Sequence, residues 1–420
     1  MMTRRAFLMS AMGMVAFRNE TLDMVERLVS RFEGLPEDEE FWVQIQQAFA
    51  LDRTMINLNN GGVCPSPRVV QDALRRALEY GNQAPSYFMW RHLEPQIESV
   101  RTRLAKSFGC DSEEIAITRN ASEALEICLF GFDLQPGDEI LTTTQDYPRM
   151  INTIKQREMR EGIKLVQAKV PHLPRSHKEL VNAIAQAITP KTKLILVCHV
   201  IFLNGQIYPV REIVRLGKER GIPVIVDGAH AFAHIPFHRD DLGCDYYGSS
   251  LHKWLLAPVG TGFLYVRKEK IENLWPLMAA TAEQKKDIRK FEEIGTHPAA
   301  NHNAIAEALT FHEMIGIERK YARLRYLQER WTRKLREEKN VRFHTNLGRR
   351  DSCGLITVEI EEIEPEKLAN WLWDKKRIFV TTITSDDYKG IRISPNVYTT
   401  VSEIDFFAEA MLEAARKGIG

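Results

Sequence analysis

Hydrophobic positions follow two spacings between residues 55 and 266. Short apolar runs predict buried strands, and apolar residues three and four positions apart predict helices between them. The predicted strands are 55–58, 115–118, 139–143, 164–170, 194–199, 224–227 and 263–266, and the predicted helices are 66–80, 91–108, 121–131, 148–161, 176–188 and 210–220. Apolar strands that alternate with helices are typical of an α/β protein whose mostly parallel sheet is covered on both faces.

The pattern changes after residue 266. A long helical region is predicted at 302–338, and shorter strands and helices follow it at 354–360, 364–374, 378–382, 390–394 and 402–417. This order predicts a smaller α+β domain at the C-terminus. We therefore predict an N-terminal helical segment at 18–54 that packs on the small domain, a large domain at 55–300 and a small domain at 301–420.

Composition excludes several classes of function. The 420 residues include 57 basic and 56 acidic side chains, and no basic stripe indicates a nucleic-acid partner. The six cysteines have neither a C-x-x-C pair nor metal-ligand spacing, so we expect buried free thiols and no metal site. We expect no membrane span, because no stretch of the chain reaches the roughly 18 apolar residues that one requires.

Residues 1–17 form a separate segment. Thr3-Arg4-Arg5-Ala6-Phe7-Leu8-Met9 resembles a twin-arginine export signal, and the apolar stretch that continues to Phe17 would be its hydrophobic region. That stretch is short, and an amphipathic N-terminal segment is the alternative. Cytoplasmic and periplasmic locations both remain open.

The candidate chemistry centres on a lysine and an aspartate. Lys253 stands in Ser249-Ser250-Leu251-His252-Lys253-Trp254, and Asp227 ends the apolar strand 26 positions earlier. Open α/β sheets place ligand-binding residues at such strand ends. A lysine amine that acts as nucleophile and proton carrier, paired with a carboxylate that holds a pyridinium nitrogen protonated, suits pyridoxal phosphate. Taken alone, Lys253 would be a solvated surface residue and Asp227 a helix cap.

Several other residues are candidate cofactor contacts. The start of the predicted helix at Asn120, Ala121 and Ser122 suits the cofactor phosphate, although any capped helix has this appearance. His230 is a candidate for the ring's phenolic oxygen, and Tyr147 for stacking on the ring, although a loop tyrosine can simply be exposed. Ser250 and His252, which flank the lysine, are further candidates for phosphate and ring contacts.

A separate group is predicted to bind substrate. Arg392 lies on a late strand and can grip an α-carboxylate with two hydrogen bonds, a surface ion pair being the alternative. In the turn Asn59-Asn60-Gly61-Gly62, the candidates Asn60 and Gly61 would bring backbone close to the ligand.

These features in this order resemble the class V aminotransferases of fold type I, and most closely their isopenicillin N epimerase-like branch. The likeness to the family rests on Asp227-Gly228-Ala229-His230, Ser250-Leu251-His252-Lys253 and Arg392 with Ser394. The likeness to the branch rests on Leu58-Asn59-Asn60-Gly61-Gly62, Thr118–Leu125, Phe202-Leu203-Asn204-Gly205-Gln206 and Ile294-Gly295-Thr296. The resemblance implies a pyridoxal phosphate enzyme with a Schiff-base lysine at Lys253. It also implies a homodimer with shared active sites, in which Thr296 reaches the phosphate of the neighbouring subunit's cofactor.

Departures from the family bear on the reaction. Cysteine desulfurases of this family carry a reactive cysteine shortly before the carboxylate-binding arginine, whereas residues 381–389 contain none and Cys353 lies too far upstream. Tyr147 stands where desulfurases have histidine. We therefore expect an epimerase or racemase acting at Cα of an amino acid or its conjugate. A transaminase, a carbon–sulfur lyase and a non-catalytic cofactor-binding protein remain alternatives, and Tyr87, Arg91-His92 and Tyr147 are the candidates for a second proton donor.

Overall fold

The computed structural model describes residues 20–31, 34–348 and 350–420, so the predicted export signal at 1–17 lies outside the described residues. The strands are β1 Ile56–Asn57, β2 Ile115–Thr118, β3 Glu139–Thr143, β4 Lys164–Ala168, β5 Thr192–Cys198, β6 Val224–Asp227, β7 Tyr246–Ser250, β8 Gly262–Val266, β9 Val341–Phe343, β10 Ile356–Ile360, β11 Ile378–Phe379, β12 Thr381–Thr384 and β13 Lys389–Ile393.

The α-helices are α1 Glu20–Arg31, α2 Glu39–Gln47, α3 Arg68–Asn82, α4 Pro85–Phe88, α5 Glu94–Phe108, α6 Ala121–Gly131, α7 Pro148–Glu161, α8 His177–Ala187, α9 Val210–Glu219, α10 Arg239–Leu242, α11 Lys268–Ile271, α12 Ala299–Asn303, α13 Ile305–Ile315, α14 Ile317–Leu335, α15 Pro365–Lys376 and α16 Val401–Lys417. A π-helical turn covers Met89–Leu93, and short 3₁₀ turns cover Ser112–Glu114, Ala282–Lys286 and Ile288–Glu292.

The large sheet has seven strands in the order β2-β8-β7-β6-β5-β3-β4. The five strands from β7 to β4 run parallel, while β8 is antiparallel to both β7 and β2. The central strands are buried except at Lys193 near the start of β5, as helices on both faces require. The predicted mostly parallel sheet, and with it the fold type I architecture, is confirmed.

Strand β7 was not predicted, and it is the strand that leads into Lys253. All five residues of Tyr246–Ser250 are buried between β6 and β8. The sequence analysis missed the strand because glycine and two serines interrupt the apolar run that would have indicated it. Its polar groups are satisfied by the neighbouring strands and by contacts such as the hydrogen bond that the Ser249 hydroxyl donates to the Gly228 carbonyl at 3.0 Å.

The small sheet is antiparallel, in the order β12-β13-β10-β9. It carries Arg392 on β13, and a bridge between Asn59 and Ser394 joins it to the turn that precedes the large domain. Two predicted elements here were wrong in extent. The strand at 378–382 divides into β11 and β12, and the helical region at 302–338 divides at Ala304 and at Gly316, whose φ of +84° interrupts the helix.

The N-terminal helices pack on helices from later in the chain. Helix α1 contacts α13 and α3, and Glu39 at the start of α2 forms an ion pair with the fully buried Arg323 of α14. The domain boundaries given above stay a prediction. Among the described residues, no helix combines the length and the apolar character needed to cross a membrane.

Candidate active site

The carboxyl ends of the parallel strands form one edge of a cavity of about 800 Å³. Asp146 holds this edge together, because its carboxylate accepts hydrogen bonds from the Thr143 backbone at the end of β3 and from the Cys198 backbone at the end of β5, at 2.8 and 2.9 Å. Asp227 ends β6 beside them. The cavity thus lies where open α/β sheets bind ligands.

Lys253 lies in the turn between β7 and β8, and its amine faces the cavity. The Nζ atom is 3.1 Å from Nε2 of His230. Removal of this amine from bulk water lowers the pKa of Lys253 to about 8, although the negative charge of Asp227 acts in the opposite direction. About half of the amine is therefore uncharged at pH 8, and this is the form that acts as a nucleophile or base.

Asp227 is buried at the base of the same cavity. Its Oδ1 atom accepts a hydrogen bond from the Ala229 backbone at 2.9 Å, and the Cys198 thiol lies 3.8 Å from Oδ2. Burial raises the pKa of Asp227 to about 6, and the Ala229 hydrogen bond and the Lys253 amine offset only part of that effect. Burial thus destabilises the ionised carboxylate relative to the protonated one.

We expect Asp227→Asn to stabilise the cofactor-free protein. The pKa of Asp227 is 3.8 in a model peptide and about 6 in the folded chain. At pH 8 this difference of roughly two pKa units lowers the free energy of unfolding by about 3 kcal/mol. Because the folded pKa is the higher one, this cost disappears as the pH falls from 6 towards 4. Urea unfolding at pH 8 should show the gain, and the gain should shrink at pH 5. Equal unfolding midpoints at pH 8 would contradict this account.

Most of the predicted site residues line the cavity. They are Gly61, Asn120, Ala121, Ser122, Tyr147, Asp227, His230, Ser250, His252, Lys253 and Arg392. Two predicted residues do not line it. Asn60 is buried elsewhere, with its amide donating to the Ser394 carbonyl at 2.8 Å and its Oδ1 atom accepting from the Tyr398 hydroxyl. Thr296 is exposed at the surface of this chain, so its contact with a neighbouring subunit stays a prediction.

The start of α6 forms a second side of the cavity. Asn120 caps the helix by accepting a hydrogen bond from the Glu123 backbone at 2.9 Å, and the Ser250 hydroxyl accepts one from the Ala121 backbone at the same distance. Gly262 on β8 lets this turn lie against the sheet, because a Cβ there would meet Cα of Asn120 at 2.6 Å. A helix start presented to a cavity attracts an anion such as a phosphate.

Arg392 enters the cavity from the small sheet. Its terminal nitrogens donate to the Phe202 carbonyl at 2.7 Å and to Oδ1 of Asn59 at 3.2 Å, while its buried Nε–H has no partner among the described residues. Burial lowers the pKa of Arg392 to about 10, so the side chain remains a cation at neutral pH. A buried cation that forms no ion pair within the described residues suits an anionic ligand group.

Gly61 makes room for that guanidinium. A Cβ on Gly61 would lie 3.2 Å from a terminal nitrogen of Arg392 and 3.0 Å from Cδ1 of Leu355. The Gly61 backbone donates to the Ser394 hydroxyl at 2.8 Å, which ties the turn to the strand that carries the arginine. The sequence predicted that the backbone of this turn lies close to the ligand. In the structure it lies close to Arg392.

Three cavity or near-cavity residues were not assigned to the site from the sequence. Phe202 forms an edge-to-face pair with Tyr147 at 5.3 Å between ring centroids, and Cys198 lies beside Asp227. Trp254, the residue after the lysine, donates its indole N–H to Nδ1 of His230 at 3.4 Å. The position of Trp254 next to Lys253 was the only sequence signal for it.

The sequence matches the aminotransferase class-V family over residues 56–407. The chain belongs to this family. It is 28% identical over 387 residues to isopenicillin N epimerase of Streptomyces clavuligerus, covering 88% of this chain and 97% of that protein. The isopenicillin N epimerase of Amycolatopsis lactamdurans is also 28% identical, over 398 residues that cover 89% and 99% of the two chains.

The fold is also that of solved cysteine desulfurase structures. An apo cysteine desulfurase from Thermococcus onnurineus NA1 superposes with a TM-score of 0.76 at 23% identity, over 91% of this chain and 98% of that one. At that identity the likeness establishes the fold alone. This class V enzyme is pyridoxal phosphate-dependent, as its family is.

The residues present fit that cofactor. Lys253 has the amine to hold it covalently, Asp227 has a buried carboxylate for the pyridine nitrogen, and the start of α6 with Ser250 provides N–H and hydroxyl groups for the phosphate. No cluster of histidine, cysteine and carboxylate side chains within the described residues could hold a metal ion.

The cysteines are unsuited to sulfur transfer. All six are free thiols, and Cys198 alone among them lines the cavity. Burial and the nearby carboxylates of Asp146 and Asp227 raise the pKa of Cys198 far above its ordinary value, so it is not a thiolate at neutral pH. Cys353 is fully buried, with its thiol 3.5 Å from the Gly205 carbonyl. Residues 381–383, which do line the cavity, contain no cysteine.

Proposed function

We propose that this enzyme removes and returns the Cα proton of an amino acid or amino-acid conjugate, and so acts as an epimerase or racemase. The observation that carries the proposal is the pairing, in one cavity, of the Lys253 amine, whose pKa is lowered to about 8, with a buried unpaired cation at Arg392. The similarity to two isopenicillin N epimerases over almost their whole length supports it.

The cofactor, when bound, supplies an electron sink that makes the Cα proton acidic enough to remove. Arg392 binds the substrate carboxylate through Nε and so fixes the orientation of Cα. Lys253 takes the Cα proton on Nζ, and the Asp227 carboxylate would bind the pyridine nitrogen and favour its protonated form. The start of helix α6 and Ser250 would hold the phosphate and so orient the cofactor towards Lys253.

Inversion requires a proton donor on the face of Cα opposite to Lys253. Of the three candidates from the sequence, Tyr147 lines the cavity, whereas Tyr87 and the Arg91-His92 pair do not. Tyr87 is instead 56% exposed and packs edge-on against Phe88. We therefore assign the opposite-face donor to Tyr147.

The cavity volume bears on substrate size. About 800 Å³ lies towards the upper end of the range for small-molecule sites, roughly 300–1,000 Å³. This is room for the cofactor together with a substrate larger than a small free amino acid. Conjugated amino acids and short peptides therefore belong in any substrate panel.

The test is proton NMR in deuterated buffer with a panel of L- and D-amino acids and conjugates, combined with a chiral assay. An epimerase exchanges the Cα proton and yields both configurations without keto acid. Keto acid that accumulates only with an amino acceptor would establish a transaminase, and keto acid with ammonia a lyase. Tyr147→Phe should abolish inversion and leave exchange with one enantiomer. Unchanged inversion in Tyr147→Phe would contradict the assignment of Tyr147.

A further inference from the structure

The hydrogen bonds of His230 and of its neighbour His234 have only one consistent set of donors and acceptors. A backbone N–H and an indole N–H can only donate, and a carbonyl oxygen can only accept. The imidazole of His234 lies between two such groups. The Gly354 backbone donates to Nε2 of His234 at 3.0 Å, so the ring carries its hydrogen on Nδ1, which donates to the His230 carbonyl at 2.7 Å.

The same reasoning applies to the imidazole of His230 itself. The indole N–H of Trp254 donates to Nδ1 of His230 at 3.4 Å, so Nδ1 carries no hydrogen. Burial, above all, holds the pKa of His230 well below its ordinary value, so the ring is neutral. A neutral imidazole has one hydrogen, which must then be on Nε2, 3.1 Å from Nζ of Lys253.

We infer that Trp254 is a positioning residue, which fixes His230 as an N–H donor towards the Lys253 amine and thereby favours the uncharged form of that amine. An ammonium group has three donors and no acceptor, so it cannot accept the Nε2–H. A neutral amine has a lone pair that accepts it. A His230 ring free to carry its hydrogen on Nδ1 would instead accept from the ammonium and stabilise the charged form.

Trp254 is itself held firmly in the required position. It is fully buried, and its indole stacks on the imidazole of His234 with 3.5 Å between centroids and 14° between planes. Its carbonyl accepts a hydrogen bond from the buried amine of Lys320 on α14. The direction of the Nε1–H bond is therefore set by packing rather than by the ligand in the cavity.

The other titratable and charged groups around the Lys253 amine come from several elements. They are Asp227, Cys198, Cys64, His252 and Arg392. The negative charge of Asp227 favours the ammonium, and burial and Arg392 oppose it. A change at Trp254 leaves all of these groups in place, so it isolates the effect of the His230 hydrogen. The consequence for catalysis rests on the proposed role of Lys253, whereas the position of that hydrogen does not.

The first test is the hydrogen position in the full-length, cofactor-free protein labelled with 15N-histidine. Two-bond correlations from ring protons to ring nitrogens distinguish the two neutral tautomers, and comparison with His230→Gln identifies the His230 signals. We expect the Nε2–H form. The Nδ1–H form in the wild-type protein would overturn the inference, and this result needs no variant of Trp254.

The second test is the pH dependence of the rate at which the cofactor-free protein combines with added pyridoxal phosphate, followed by absorbance. This rate rises with the uncharged fraction of the Lys253 amine. Trp254→Phe keeps the stacked ring and removes the N–H, and the loss of one hydrogen-bond preference should raise the midpoint by about one pH unit. The matched control is Trp331→Phe, because the equally buried indole N–H of Trp331 has no partner among the described residues.

The outcomes separate this inference from the proposed function. An unchanged midpoint in Trp254→Phe, with Lys253→Ala unable to combine with the cofactor, would overturn the role of Trp254 and leave Lys253 in place. Combination at the wild-type rate in Lys253→Ala would instead overturn the role of the lysine. A raised midpoint in Trp254→Phe, with Trp331→Phe unchanged, is the expected result.

Discussion

Lys253→Ala is expected to reduce Cα proton exchange by about 10³-fold or more, the largest effect of any single replacement in this enzyme. The substitution removes both the group that attaches the cofactor and the base that takes the proton. No other lysine among those described lines the cavity, so none stands ready to replace it. The loss should therefore appear at every pH.

The measurement is the rate of deuterium incorporation at Cα, with mass spectrometry after borohydride reduction as a second readout. In the wild-type enzyme the reduced cofactor should remain on the peptide that contains residue 253, and in the variant it should be lost. Lys193→Ala is the matched control, since Lys193 is exposed near the opposite end of β5. Full-rate exchange by Lys253→Ala would remove this lysine from the mechanism.

Arg392→Lys is expected to lower kcat/KM by about 100-fold, chiefly through KM. Lysine keeps the positive charge but cannot present Nε–H to a carboxylate while also donating to the Phe202 carbonyl and to Asn59. The positive charge would thus be preserved, and the hydrogen bond from Nε to the carboxylate would be lost. Hydrogen bonds to charged groups contribute about 1.5–3 kcal/mol each, which sets the size of the effect.

A substrate analogue without the α-carboxylate provides the internal check. Such an analogue should react equally poorly with the wild-type enzyme and with Arg392→Lys, because the lost contact no longer exists. Arg342→Lys is the matched control on the same small sheet, where the half-exposed Arg342 pairs with Glu361 at 2.8 Å outside the cavity. If Arg392→Lys kept the wild-type kcat/KM, the carboxylate would have to bind elsewhere.

Many secondary-structure elements of the large domain could be predicted to within two residues. Helices α6 and α7 and strand β6 have their predicted bounds, because Asn120 and Pro148 begin the helices and Gly162 ends α7 in the left-handed conformation. Strand β7 could not be predicted, since its burial comes from β6 and β8 rather than from its own apolar pattern. Sequence patterns therefore predicted those elements whose ends are set by their own capping residues, and missed the strand that is set by its neighbours.

Some residues of the candidate site could likewise be predicted from the sequence, and others could not. Three site candidates could be recognised because each is a charged residue in an unusual place. Asp227 ends an apolar strand, Arg392 lies within a strand, and Lys253 follows a pair of serines. Asn60 was placed in the site for its turn, yet its side chain is committed to Ser394 and Tyr398, more than three hundred residues away in sequence. Nothing in the turn itself indicates those partners.

The sequence by itself determined the family, the cofactor and the candidates for the reactive groups, because these depend on residue types and short spacings. Only the tertiary structure decided which groups share the cavity and in what state. The lowered pKa of Lys253 and the raised pKa of Asp227 arise from burial by distant segments. The hydrogen bond from Trp254 to His230 likewise joins residues 24 apart in sequence, and only packing brings their rings together.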